Sequence, residues 1–113
     1  MSRGEIWWTD LPAPRGSGPV YRRPAIIISD DSFNESRIGT VIVAIVTSNI
    51  RYAEASGNVL IKKRAGNGLD VDSVVNVSSL LTVDKYALLE LCGSVTPNQL
   101  KDVDVGLRLV LGL

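Results

Sequence analysis

The amino-acid sequence predicts an α+β fold, a small antiparallel β-barrel with short helices and a C-terminal α-helix. Short runs rich in valine and isoleucine recur between polar turns, as in sheets built from brief antiparallel strands. Only the last segment of the chain shows a clear helical period. The 113 residues contain no linker and no internal repeat, so we predict one domain over residues 1–113.

The first predicted strand, Arg3–Leu11, alternates so that Ile6 and Trp8 share one face while Trp7 and Thr9 share the other. One tryptophan is expected to pack in the core. The other either packs as well or forms an interface or a base-stacking surface. The sequence leaves open which of the two faces outward.

Residues 12–20, PAPRGSGPV, are dense in proline, glycine and serine and predict a loop. The loop is long for a small scaffold, and long loops on small scaffolds often bind ligands. Arg15 lies in its middle, near two glycines that permit a close approach of the backbone. Arg15 is therefore a candidate binding residue, with a solvated loop arginine as the alternative.

Two β-branched runs, Pro24–Ser29 and Thr40–Thr47, are apolar enough to be buried on both faces. Pro24 lacks an N–H group, so it is predicted at the first position of its strand or on an edge. If the two strands are antiparallel neighbours, the start of the first lies beside the end of the second. That pairing brings Arg23 close to Thr47, and a fixed cation beside a hydroxyl suits a phosphate group.

The remaining predicted elements are short. They comprise a helical turn over residues 30–36 with Phe33 as its core anchor, a polar loop over 50–57, strands over 58–62, 73–77, 80–83 (either a continuation of the preceding strand or a new one) and 91–95, and a helical turn over 84–89. The terminal helix has the clearest signals, because Thr96, Pro97 and Gln99 form a capping-box pattern. Its apolar residues cover more than one stripe, which predicts an oligomer interface.

The composition excludes several kinds of chemistry. The chain has no histidine, so Ser-His-Asp and Cys-His catalysis are excluded, as is acid–base chemistry by a histidine pair. The single cysteine, Cys92, precludes an internal disulfide and is predicted to be a buried apolar residue. A zinc site is disfavoured. Four aspartates resemble metal ligands, but capping and turn roles are favoured: Asp30, Asp31, Asp70 and Asp72.

Charge and hydropathy limit the location and the partners. The formal net charge is zero, so a nucleic-acid partner requires a local basic patch rather than a global field. No apolar run reaches the ~18 residues of a membrane span, and the N-terminus carries no signal-peptide pattern. With one cysteine in addition, the sequence predicts a soluble, cytoplasmic protein without a membrane contact.

Ordered motifs run along nearly the whole chain, from residue 3 to residue 111. They are RGEIWW-DL, PRGS, RRPAIIIS, DDSFN, IVTSN, GNVLI, DSVVNVS, LLTVDK and the G-V-TP approach to the last helix. Together they resemble the MazF/PemK ribonuclease toxins of bacterial toxin–antitoxin systems. The resemblance implies an SH3-like barrel of the kind shared with CcdB, a homodimer, and metal-independent, sequence-specific cleavage of single-stranded RNA without a cofactor. It also implies an antitoxin whose extended, acidic tail lies across the RNA groove.

By position, the resemblance assigns catalysis to Arg23 and Thr47. The surrounding residues are candidates for RNA binding: Arg15, Ser17, Tyr21, Arg22, Ser48, Asn49, Arg51, Tyr52 and Ser79. Two positions depart from the family pattern. Gly18 stands where many members have an acidic residue, which puts any mechanism that needs this carboxylate in doubt. Ser79 stands where many have glutamine, so a different base preference is open.

If RNA is the substrate and no metal takes part, as the resemblance implies, the absence of histidine limits the chemistry. The economical nucleophile is then the substrate's own 2′-hydroxyl, which gives a 2′,3′-cyclic phosphate and a 5′-hydroxyl. A guanidinium stays protonated in proteins, so Arg23 is interpreted as an electrostatic stabiliser or proton donor rather than a base. Two alternatives remain open: a non-enzymatic toxin resembling CcdB that binds DNA gyrase, and an inactive small-barrel interaction module.

Overall fold

The structure is a computed structural model that describes residues 1–11 and 21–113. Within these residues six strands are β1 (Glu5–Leu11), β2 (Tyr21–Ile27), β3 (Thr40–Thr47), β4 (Val59–Ile61), β5 (Ser73–Asp84) and β6 (Leu88–Ser94). The α-helices are α1 (Asp31–Asn34) and α2 (Pro97–Leu111). Short 3-10 helices span Ile50–Glu54, Ala65–Asn67 and Lys85–Ala87.

The strands form one antiparallel sheet in the order β4-β5-β3-β2-β1-β6. The sheet curls into a half-barrel whose first and last strands in this order are β4 and β6. This confirms the predicted α+β class with a C-terminal helix. Along β1, the strand begins at Glu5 rather than Arg3, because the backbone turns at Gly4 with a positive φ of 91°.

Alternate residues of the central strands supply two apolar clusters, one on each face of the sheet. The first cluster packs beneath α2 and contains Ile6, Ile26, Ala44, Val46, Val75, Val103 and Leu107. The second lies on the opposite face and contains Leu11, Ala25, Ile27, Val41, Val43, Val83 and Leu88. Because successive side chains of a strand point to opposite faces, the buried end of β2, Ala25–Ile27, and nearly all of β3 must be apolar, as their sequences predict.

Pro24 lies in the middle of β2, opposite Trp8 of β1, and not at the first position of the strand. The pairing of β2 with β3 begins only at Ala25. Over Tyr21–Pro24, β2 is therefore an edge on its β3 side, where a missing N–H group costs no ladder hydrogen bond. The sequence predicts that Pro24 lies either at the first position of its strand or on an edge. The second of these positions is the one observed, and it explains why proline is tolerated in the middle of β2.

A bulge interrupts β5. Ala44 of β3 pairs with Leu80, whereas the next residue, Ile45, pairs with Asn76. Residues 77–79 therefore have no partner in β3 and loop out of the ladder. A bulge of this kind bends its strand and re-aims the side chains beside it. The two strands predicted over 73–77 and 80–83 are the two halves of this single element.

The helix signals in the sequence are confirmed at atomic detail for α2. The hydroxyl of Thr96 accepts from the Gln99 N–H at 3.1 Å, and the Gln99 side chain accepts from the Thr96 N–H at 2.9 Å. Phe33, by contrast, is only half-buried. The buried residue of α1 is Asn34, whose amide donates to the Ser29 carbonyl at 2.8 Å.

On its inner side, α2 approaches the loop before β4 so closely that glycine is required. A Cβ added to Gly106 would clash with the carbonyl oxygen of Gly57, so the two backbones touch directly. The outer side of α2 remains exposed and apolar, with Val105 66% and Leu109 62% exposed. In the described part of the chain, neither α2 nor any other helix has the length and hydropathy to cross a bilayer.

Candidate active site

The site lies where β2 and β3 diverge. Their ladder pairs Ile27 with Val43 and ends where Ala25 pairs with Ile45. Extended by two residues along each strand, the same register sets Arg23 opposite Thr47. A cavity of about 270 Å³ opens here, and we call it the Arg23–Thr47 cavity. It is lined by Arg23, Ile45, Thr47, Asn49, Tyr52, Asn76 and Ser79.

Arg23 extends from the half of β2 that pairs with β1 but not with β3, and it is exposed. Its guanidinium carbon lies 5.4 Å from the centroid of the Tyr21 ring, within the range of a cation–π contact. Stacking of this kind occupies the face of the guanidinium and leaves the in-plane N–H groups available. Among residues 1–11 and 21–113, no carboxylate forms a salt bridge with Arg23. The side chain is thus oriented and can bind an anion.

Thr47 ends β3 and is only 8% exposed. Its hydroxyl oxygen accepts a hydrogen bond from the Asn49 N–H at 3.2 Å, so its own proton remains free for donation. Asn49 in turn caps the helix Ile50–Glu54, since its side-chain oxygen accepts from the Arg51 N–H at 3.2 Å. The end of β3 is therefore held by two successive side-chain turns.

Asn58 connects the two sides of the cavity, the helix Ile50–Glu54 and the bulge of β5. Its amide donates to the Tyr52 carbonyl at 2.9 Å, and its side-chain oxygen accepts from the N–H of Val77, inside the bulge, at 3.0 Å. One side chain thus fixes both the helix that carries Tyr52 and the bulge beside Asn76. Polar groups held in this way need little reorganisation when a charged ligand binds.

Five of the residues predicted from the sequence line the Arg23–Thr47 cavity: Arg23, Thr47, Asn49, Tyr52 and Ser79. Tyr21 does not line it but stacks on Arg23. Arg51 is exposed and lies outside the lining. Arg15 and Ser17, together with Gly18, fall within residues 12–20 and lie outside the described residues.

Arg22 and Ser48 lie on the other face of the sheet. Both line a second cavity of about 310 Å³ that also includes Trp8 and Cys92, and Arg23 contributes to both cavities. Arg22 donates to a carboxylate oxygen of Asp10 at 3.2 Å. Strand alternation explains this division, because residues 22 and 48 precede or follow 23 and 47 by one position. Arg22 and Ser48 are therefore not part of the Arg23–Thr47 cavity.

The sequence analysis missed Asn76 and Ile45 as cavity residues. Ile45 is one of several β-branched residues in β3 and carries no distinguishing signal. Asn76 does carry one: the run VVNVSSLL places an asparagine and two serines inside an otherwise apolar strand. A polar interruption of this kind indicates either a bulge or a ligand contact.

Three of the four aspartates that resemble metal ligands, Asp30, Asp31 and Asp72, accept hydrogen bonds from backbone N–H groups. Asp30 accepts from the Ser32 N–H at 3.0 Å, and its hydrogen bonds with Ser32 lower the pKa of this carboxyl. Asp31 accepts from the Arg3 N–H at 2.7 Å, and Asp72 accepts from the Lys63 N–H at 2.8 Å. In the described ranges, no three acidic or thiol side chains gather as a metal site would require. These contacts favour the capping role.

Cys92 is half-buried rather than buried, and it borders the second cavity. Burial raises the pKa of its thiol. A thiol with a raised pKa is a poor nucleophile at neutral pH, because the thiolate is the reactive form. Cys92 therefore offers no alternative to the chemistry of the Arg23–Thr47 cavity.

Comparison with known proteins decides the family. The family described as "PemK-like, MazF-like toxin of type II toxin-antitoxin system" matches residues 2–111. The chain belongs to this toxin family. It is 44% identical over 113 residues to the endoribonuclease MazF2 of Mycobacterium bovis, covering all of this chain and 98% of that toxin. The same values hold for the endoribonuclease MazF6 of Mycobacterium tuberculosis. The family and the enzyme class predicted from the ordered motifs, a toxin endoribonuclease, are confirmed.

Solved structures agree on the fold. A mycobacterial endoribonuclease in complex with its cognate antitoxin superposes with a TM-score of 0.82 at 22% identity, over all of this chain and 96% of that chain. MazF of Deinococcus radiodurans gives a TM-score of 0.79 at 22% identity, over all of this chain and 97% of that one. The MazF half-barrel with its C-terminal helix is therefore the fold of this chain.

Proposed function

We propose that this toxin cleaves single-stranded RNA at specific sequences without a metal ion, by attack of the substrate's 2′-hydroxyl on the adjacent phosphorus. The Arg23–Thr47 cavity is the observation that carries the proposal. It offers a cation and a hydroxyl donor but no side chain suited to act as a nucleophile. The products are a 2′,3′-cyclic phosphate and a 5′-hydroxyl.

In this mechanism the scissile phosphate binds between the two strand ends. Negative charge develops on its phosphoryl oxygens as the 2′-oxygen attacks, and the guanidinium of Arg23 stabilises that charge. Arg23 also donates a hydrogen bond to the leaving 5′-oxygen, which takes up a proton from solvent water as the attacking 2′-hydroxyl releases one to solvent. Thr47, whose oxygen already accepts from Asn49, donates its proton to a phosphoryl oxygen or orients the 2′-hydroxyl. Tyr21 keeps the arginine in place.

Flanking nucleotides extend from the phosphate along the rest of the cavity. Tyr52 is 46% exposed there and offers an aromatic face on which an unpaired base stacks. Asn49 and Ser79 supply hydrogen-bonding groups toward base edges. Arg15, Ser17 and Arg51 are proposed to bind phosphates or to read bases of the same RNA.

We further propose that the antitoxin blocks the same cavity with an extended, acidic tail. Arg23 is exposed and, within the described residues, forms no salt bridge, so it can pair with a carboxylate of the tail. RNA and antitoxin would then compete for one cation. The proposed location is the cytoplasm, where RNA and antitoxin are available and a lone thiol stays reduced.

A homodimer is proposed from the outer side of α2. Val105 and Leu109 are exposed there, at 66% and 62%, and Leu113, just beyond the end of the helix, is 86% exposed. Exposed apolar residues clustered on one helix side are typical of an interface between copies.

We expect sedimentation at micromolar concentration to give a dimer, and Leu109→Asp to give a monomer because the interface would bury a charge. Ile38→Asp, outside α2, serves as the control and should remain dimeric. A wild-type monomer would contradict the proposal.

The function is tested by incubating purified protein with single-stranded RNA in excess EDTA and separating the products on a gel. We expect cleavage at a limited set of sites, and inhibition by an acidic peptide that matches the antitoxin tail. Intact RNA, together with inhibition of DNA gyrase, would support the CcdB-like alternative. Intact RNA without gyrase inhibition would indicate an inactive module. Cleavage that requires added magnesium would contradict the metal-independent mechanism.

A further inference from the structure

Asn76 occupies an unusual position for an asparagine. It lies at the start of the β5 bulge, is half-buried, and lines the Arg23–Thr47 cavity together with Ser79. An asparagine in a strand offers little packing and is depleted from sheets. Asn76 pairs with Ile45 at the last ladder position before the bulge, and it faces the cavity there. Its amide group therefore contributes little to packing and can bind a ligand.

The orientation of the amide is fixed by a group that can only donate. The backbone N–H of Ser78 lies 3.2 Å from the side-chain oxygen of Asn76, and the Ser78 hydroxyl lies 2.8 Å from the same oxygen. Since a backbone N–H cannot accept, the atom facing it must be the oxygen, and the two amide atoms cannot be exchanged. The amide nitrogen consequently faces Ser79, donating to its hydroxyl at 3.1 Å.

One N–H group of the Asn76 side chain remains available to donate a hydrogen bond. An amide nitrogen carries two hydrogens, and Ser79 takes one of them. Among the described residues no other group accepts from this nitrogen, while the side-chain oxygen already accepts two hydrogen bonds. Asn76 thus presents an N–H donor to the cavity and no free acceptor of comparable strength. Because the bulge is braced by Asn58 at Val77, the donor is held in place before a ligand binds.

We propose that Asn76 is a specificity-determining residue that donates its remaining N–H to a carbonyl oxygen of the base next to the scissile phosphate. The proposal rests on the proposed RNA site at Arg23 and Thr47. A fixed donor favours a base edge that presents a carbonyl oxygen. Uracil has two such oxygens and adenine has none, so the cavity selects uracil over adenine at one nucleotide flanking the phosphate.

The test is Asn76→Asp, which keeps the size of the side chain but replaces the amide nitrogen with an acceptor oxygen and adds a negative charge to the cavity. The charge is expected to lower kcat/KM for all RNAs alike, so the readout is the ratio between two bases, from which this common effect cancels. The aspartate keeps an oxygen for the two donors of Ser78, and its second oxygen accepts from the Ser79 hydroxyl. Toward the cavity it presents an acceptor in place of a donor. We expect the ratio of kcat/KM for uracil over adenine at the selected position to fall about tenfold or more, because a base amino group is now preferred.

The measurement uses RNAs that differ only at the nucleotide 5′ or 3′ of the scissile phosphate. Asn98→Asp, the same substitution in the exposed first turn of α2, is the matched control and should leave the ratio unchanged. A purely structural role for Asn76 would lower kcat/KM for both bases equally, and an unchanged ratio in an active Asn76→Asp protein would overturn the proposal.

A second measurement avoids substitution of the protein. Wild-type enzyme is given RNA in which the selected uracil is replaced by 2-thiouracil or 4-thiouracil, whose sulfur is a weaker acceptor than oxygen. One of the two should reduce kcat/KM about tenfold; no reduction with either would count against the contact. Failure of the RNA site itself has a different signature, since wild-type protein would then cleave none of the substrates.

Discussion

Replacement of a single 2′-hydroxyl by hydrogen, immediately 5′ of the scissile phosphate, should stop cleavage of an otherwise unmodified RNA. The chain has no histidine, and its one thiol has a pKa raised by burial and borders the other cavity. In the proposed mechanism the substrate therefore supplies the attacking oxygen. Without it, the groups in the Arg23–Thr47 cavity have no reaction to accelerate, so the expected loss is complete.

The experiment compares the fully ribose substrate with two singly substituted ones, at the scissile position and one nucleotide further upstream. The upstream substitution controls for changes in sugar conformation and binding, and should be cleaved at nearly the normal rate. The products of the unmodified RNA should carry a 2′,3′-cyclic phosphate. Cleavage of the substrate that lacks the scissile 2′-hydroxyl would exclude the mechanism, even for an active nuclease.

Arg23→Ala and Thr47→Ala should each reduce kcat by ~100- to 1000-fold, the usual effect of removing one group that stabilises transition-state charge. Arg23 supplies positive charge and in-plane donors, and Thr47 supplies a hydroxyl whose position is fixed by Asn49. Neither side chain belongs to the two core clusters, so the free energy of unfolding should change little. Thermal unfolding measured in parallel separates loss of chemistry from loss of fold.

Arg37→Ala is a suitable control because it removes the same charge at the opposite end of β3, before that strand begins at Thr40. Its kcat should stay within about twofold of wild type, as expected for an exposed side chain without a described partner. Arg23→Lys should recover only part of the lost rate, since an ammonium cannot reproduce the planar fork of a guanidinium. If Arg23→Ala and Arg37→Ala behaved alike, Arg23 would have no catalytic role.

The central strands were predictable from the sequence because their pattern has one physical solution. A run of β-branched residues as continuous as Thr40–Thr47 has to be buried on both faces, and the structure places β3 at those residues. Antiparallel pairing then sets Arg23 opposite Thr47 without further information. Strand alternation also places Arg22 and Ser48 on the opposite face of the sheet from Arg23 and Thr47. Closeness in the sequence alone does not reveal this division.

The far wall of the cavity was not predictable in the same way. Asn76 enters the site through a register shift between Ala44 and Ile45, which depends on how β5 packs against β3. The exposed face of Tyr52 depends on the helix that Asn49 caps and on Asn58, which is a neighbour only in the folded chain. The local sequence shows that polar residues occur in these segments, but contacts between distant parts of the chain determine the direction in which their side chains point. The roles assigned to Arg15 and Ser17 remain predictions from the sequence.

The direct contact between Gly57 and Gly106 bears on how genes for such toxins are interpreted. Any substitution of Gly106 adds a Cβ atom, and that atom would meet the carbonyl oxygen of Gly57. Helix α2 would have to lift from the loop that leads through Asn58 to Tyr52 and the bulge. A gene can therefore encode every residue of the catalytic motif and still specify a toxin whose active site is distorted. An inventory of motif residues is not enough to distinguish an active locus from a decayed one.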